Sequence, residues 1–103
     1  DVSVAALGLM GVQPDFPHGE TLLKAAALIE CPIVFLMQLE DELFSRQGCL
    51  DIFDAFASKD KRLHANPGLH PEVPEEEIDF TFNFMLAHIN GTETKKIVNI
   101  ISD

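Results

Sequence analysis

The strongest constraint on this chain is the order of its apolar runs. Ile33 to Met37 (IVFLM) is its most hydrophobic stretch. It has no polar alternation, which is how a strand covered on both faces of a parallel sheet reads. Val2 to Leu9 (VSVAALGL) has the same character, and Met10-Gly11 then opens a loop containing Pro14 and Pro17. Lys61 to Ala65 (KRLHA) is a weaker third strand, stopped by the turn signal Asn66-Pro67-Gly68.

Helix-like segments separate these runs. Thr21 to Leu28 consists largely of strong helix formers. Cys31-Pro32 ends that segment, and proline at the first residue of a strand is tolerated. Ser45 to Ala57 repeats Leu50, Phe53 and Phe56/Ala57 at three-to-four-residue spacing, with Asp51, Asp54 and Ser58 on other faces. Pro74-Glu75-Glu76-Glu77 opens a third, long helix, with proline in the first turn and acids at the positive end of the dipole. Along it Ile78, Phe82, Met85, Leu86 and Ile89 mark an apolar face, and Asn90-Gly91 is a stop signal. Thr92 to Asp103 fits a short helix or a strand equally well.

Each strand-to-strand crossover is about 20 to 30 residues, the length that a right-handed parallel βαβ unit requires. We therefore expect a three-layer α/β arrangement of parallel strands and flanking helices, in one small domain of 103 residues. Its first strand would be an apolar edge without a partner. Such an edge calls for cover, either from a further part of the protein or from another copy of the chain.

Composition narrows the partners. The 47% hydrophobic content suffices for a core, and the formal charge of −10 repels phosphate backbones and anionic lipid. Nucleic-acid and membrane partners are not expected. The first residues, Asp1-Val2-Ser3, have neither an initiator Met nor the basic region of a signal peptide, so we expect a processing or cleavage point there. Cys31 and Cys49 form no CxxC or disulfide pattern and read as small buried hydrophobes, fitting a reducing, cytoplasmic setting.

In open α/β sheets, reactive groups gather beyond the carboxyl ends of the strands. Gln38-Leu39-Glu40-Asp41-Glu42 follows the second strand, and Asn66-Pro67-Gly68-Leu69-His70 follows the third. Two loops leaving neighbouring strands at one end can bring a carboxylate against an imidazole, fixing its tautomer and stabilising its protonated form. A nucleophile is not evident. Ser3, Ser45, Ser58 and Ser102 are the serines, and none lies in G-x-S-x-G or a sharp strand-turn-helix context.

The stretch CPIVFLMQLEDELFSRQGCLDIFDAF, followed by KRLHANPGLHPEVPEEEIDFTFNFM, resembles the end of α/β-hydrolases, nearest the dienelactone hydrolase-like branch. In that family the seventh strand precedes an acid with Val or Phe three residues later, matched by Asp41 and Phe44. The eighth precedes a G-x-H loop, matched by Gly68-Leu69-His70. DVSVAALGLMG is similar to the sixth strand. The resemblance implies that residues 1–103 are the C-terminal portion of an α/β-hydrolase fold. It also implies Asp41 and His70 as triad acid and base, and an ester- or lactone-like acyl substrate. The nucleophile elbow, the oxyanion loop and the first five strands have no match, so the chain alone should be inactive. No cofactor and no metal are implied; His64, His70 and Glu72 have no recognised ligand spacing.

Other readings remain open. Asp41 between Glu40 and Glu42 could be part of a solvated acidic loop, and His70 a surface residue after a glycine turn. His64 reads as a packed or surface histidine, and Glu75 to Glu77 as only a helix start. The chain could be a non-catalytic α/β module that self-associates through its first strand. A flavodoxin-like ligand-binding domain is a further option, although Gly8-Leu9-Met10-Gly11 has the wrong spacing for a phosphate loop.

Overall fold

The structure is a computed structural model that describes residues 3–15 and 17–89. The segment 92–103, whose form the sequence leaves open, lies outside the described residues. The elements run β1 (Ala5–Gly8), α1 (Gly19–Ala26), β2 (Ile33–Gln38), α2 (Arg46–Ala55), β3 (Lys61–Asn66) and α3 (Glu75–Ile89). The three strands pair in the order β1-β2-β3, all parallel. Ile33 stands opposite Ala5 on one side and Lys61 on the other.

The expected strand-helix alternation is thus present, and the central strand shows why. Ile33, Val34 and Phe35 are fully buried. Ile33, Phe35 and Met37 face α1 and α2, packing with Ala26, Cys49, Ile52 and Phe56. Val34 and Leu36 face α3, packing with Phe84, Ala87 and Phe80. Removing one such side chain from water stabilises the fold by about 1.5–3 kcal/mol, so β2 anchors both layers. The Phe35 ring meets Phe56 edge-on at 5.6 Å between centroids.

Helix α2 is fastened at both ends. Ser45 caps its start, with Oγ accepting from the Gly48 amide at 3.0 Å. Lys61, the first residue of β3, donates through Nζ to the carbonyls of Phe53, Asp54 and Phe56 at 3.1, 3.2 and 3.1 Å. A cation there satisfies terminal carbonyls and complements the negative end of the helix dipole. Gly48 lets the loop after β1 cross the helix start, because a Cβ at that position would collide with the Val12 carbonyl oxygen.

Helix α3 docks differently from the sequence expectation. The periodic residues Ile78, Phe82, Leu86 and Ile89 are 50–64% exposed, while Phe84, Ala87 and Glu77 are buried. The helix is apolar around most of its girth, so its period cannot say which face meets the sheet. The outer face is left uncovered among the described residues. Cys31 also departs from expectation, being only half-buried just before β2. No described helix is long and apolar enough to cross a membrane.

Candidate active site

The parallel ladder of β2 and β3 continues past the ends of the strands. Leu39 N–H donates to the Asn66 carbonyl at 2.7 Å, and Glu40 N–H to the Gly68 carbonyl at 3.1 Å. The loops carrying Asp41 and His70 therefore leave the sheet side by side. His70 Nδ1 lies 2.8 Å from Asp41 Oδ2, with the carboxylate side chain 1% exposed and the imidazole 24%. An ionised carboxylate only accepts hydrogen bonds, so Nδ1 carries the proton and Nε2 is the basic nitrogen.

Asp41 is itself held from behind. Its Oδ1 accepts from the backbone amides of Leu43 and Phe44 at 2.7 and 3.0 Å. Burial pushes its carboxyl up. The hydrogen bond from His70, the two backbone amides and the charge His70 can carry outweigh that, and hold it below the usual carboxylate range. The Phe44 ring lies beside the imidazole, with centroids 6.0 Å apart.

The Asp41 carboxylate is 1% exposed and so is not solvated, while its exposed neighbours Glu40 and Glu42 bind the histidine loop. Glu40 Oε1 accepts from Gly68 N–H at 2.8 Å, and Glu42 Oε1 accepts from His70 N–H at 2.8 Å. The three consecutive acids thus grip one loop at a glycine amide, an imidazole and the amide of that same histidine. Glu72 Oε1 accepts from Leu69 N–H at 2.6 Å. Beneath the turn, Gln38 is 1% exposed and donates through Nε2 to the Leu69 and Glu72 carbonyls, with the Pro67 carbonyl a longer, shared acceptor. Gly68 makes the turn possible with φ of 116°, a conformation that costs other residues strain. Sequence reasoning named Gln38, Glu40 and Glu42 only as members of a polar cluster. A carboxylate that accepts backbone amides looks, in sequence, like one in water.

His64 forms a second pair that the sequence did not reveal. Its Nδ1 lies 2.6 Å from Glu77 Oε2, and Asn66 Nδ2 donates to Glu77 Oε1 at 3.2 Å. Glu77 is therefore more than a helix-start charge: it ties α3 to β3. His64, His70 and Glu72 each have a separate hydrogen-bond partner. Among the described residues, no group of three metal-ligating side chains could hold an ion.

Three of the described serines and cysteines are engaged elsewhere. Ser45 caps α2, and Ser58 Oγ donates to the Ile29 carbonyl at 3.2 Å. Cys49 sits in the core, where burial and the Asp41 charge push its thiol up, away from a reactive thiolate.

Among known proteins, the chain is similar to solved structures of an esterase. Three solved structures of a cold-adapted esterase from an Arctic intertidal metagenomic library, native, polyethylene glycol-bound and zinc-bound, are similar to this chain. Each is 44% identical over 75% of the chain, with TM-scores of 0.69, 0.69 and 0.70 in that order. The chain spans 32–34% of the length of those proteins. Neither a protein-family model nor a curated protein matches it. Its three parallel strands and flanking helices are an α/β arrangement consistent with the α/β-hydrolase fold of the esterase.

Proposed function

We propose that this chain supplies the acid and base of a serine-type esterase of the dienelactone hydrolase-like branch, acting on ester- or lactone-like acyl substrates. The observation that carries the reading is the 2.8 Å contact between a buried Asp41 carboxylate and the half-buried His70 ring, at the carboxyl end of a parallel sheet. In this mechanism a serine hydroxyl from polypeptide outside the chain attacks the acyl carbonyl. His70 Nε2 takes the hydroxyl proton and returns it to the leaving alcohol, while Asp41 holds the ring and stabilises its charge. The chain by itself is inactive. It lacks a nucleophile elbow, and a single absent oxyanion donor already costs about 3–4 kcal/mol of barrier.

The polypeptide that brings the nucleophile covers β1 and the outer face of α3. An apolar hollow of about 360 Å³ lies there, lined by residues including Ala6, Gly8, Leu36, Val73 and Ile78. Phe82, on the outer face of α3, is 64% exposed. The length that the similar esterases have beyond this chain is the natural occupant. No nucleic acid or membrane partner is proposed, and the two free cysteines support a cytoplasmic setting. The β1 edge, unpaired among the described residues, favours a second reading, a non-catalytic module that pairs with its own copy.

Grafting tests both readings. The chain should replace the matching segment of the cold-adapted esterase with turnover of a nitrophenyl ester retained, and His70→Ala should abolish that turnover. Activity that survives His70→Ala contradicts the assigned roles. A chain that forms stable dimers by light scattering, and whose graft is dead although folded, favours the self-associating module.

A further inference from the structure

The two ends of the Gln38 amide are used unequally. The two Nε2 protons serve the Glu72 and Leu69 carbonyls of the histidine loop at 2.9 and 3.1 Å, with the Pro67 carbonyl a longer, shared acceptor at 3.5 Å. That convergence fixes the amide orientation, since the flipped amide would set its oxygen against three oxygens. The other end, Oε1, is buried with no hydrogen-bond partner among the described residues. Buried polar atoms are seldom left so, and those that are call for an explanation. A leucine or methionine would fill this place in the core without an orphan acceptor. What they could not do is hold the loop.

The carbonyls that Gln38 binds bracket His70 in the chain. Pro67 and Leu69 precede it and Glu72 follows it, so one buried point at the end of β2 sets the height of the turn. Gly68 lies directly over it; a Cβ there would come 3.3 Å from Nε2. The strand that leads into the Asp41 loop thus also carries the support of the His70 loop. We propose that Gln38 is a positioning residue for His70, acting through the loop backbone to keep the imidazole in reach of Asp41. This assignment rests on the acid–base reading above.

The test is NMR of the full chain labelled with 15N. A His70 ring proton donated to Asp41 appears far downfield and disappears in Asp41→Asn. With Gln38→Met the fold should persist while that resonance is lost or broadened. Ile52→Val, a core change away from the loop, should leave it in place. In the grafted esterase, Gln38→Met should lower kcat roughly 10–100-fold with KM little changed, the mark of misplacement rather than lost binding. Should Gln38→Met fail to fold, the unmutated chain still decides. The side-chain amide protons of Gln38 should exchange roughly tenfold or more slowly than those of the exposed Gln47.

Retention of the downfield proton in a folded Gln38→Met variant overturns the assignment, as does Gln38 exchange as fast as that of Gln47. A downfield proton that depends on Asp41 but not on Gln38 removes this role alone. If the unmutated chain lacks an Asp41-dependent proton, the acid–base reading fails, and the role of Gln38 fails with it.

Discussion

Two histidine–carboxylate pairs flank β3, and by distance alone they are twins. His70 and Asp41 meet at 2.8 Å, His64 and Glu77 at 2.6 Å, and the imidazoles are 24% and 25% exposed. Their surroundings differ. Asp41 and His70 sit on loops beyond the sheet, and the carboxylate is fixed by amides of its own loop. His64 sits within the strand at 4.5 Å from the Phe80 ring, and Glu77 belongs to the helix that covers it. One pair presents a base at the rim; the other fastens a helix to an edge strand. Proximity makes a pair, but location decides whether it can do chemistry.

Mutations at matching positions should separate the pairs, with the largest contrast in turnover. In the grafted esterase, His70→Ala and Asp41→Asn should each lower kcat by roughly 10⁴-fold, whereas His64→Ala should change it by less than about tenfold. Equal losses at both histidines would erase the distinction. The His64 pair should instead show itself in stability. Glu77→Leu leaves the His64 ring and the Asn66 amide without their acceptor, and should cost about 1–3 kcal/mol in denaturant unfolding.

Acid should act on the Asp41 pair in a defined direction. Folding lowers the Asp41 pKa, so below its ordinary value the unfolded chain binds more protons than the folded one. The stability it contributes is present above about pH 4 and lost as pH falls further, through the lowered folded value. Melting curves should show this loss, and Asp41→Asn should flatten it. The smallest effect is expected at Arg46, whose exposed ion pair with Glu40 spans 3.6 Å. Arg46→Ala should cost less than about 1 kcal/mol.

Sequence made some of this legible and hid the rest, for physical reasons. The run IVFLM predicts a central strand because both its faces are apolar, and β2 is buried on both. The pairing of Asp41 with His70 was legible because parallel strands deliver their following loops to the same rim. The docking face of α3 was not, because Ile78 and Phe82 are as apolar as Phe80 and Phe84, and only tertiary packing chooses between them. Glu77 was hidden for a related reason. An acid in a first helical turn already has a local explanation, so its burial against His64 and Asn66 leaves no separate trace.

Everything proposed for this site depends on Asp41 fixing the proton of His70 on Nδ1 and leaving Nε2 as the base. Ring nitrogen shifts of 15N-labelled histidine at neutral pH report this most directly. His70 should be held in the Nδ1–H tautomer and revert toward the free-imidazole mixture in Asp41→Asn. A His70 ring that already shows the free mixture, unchanged by Asp41→Asn, would contradict it.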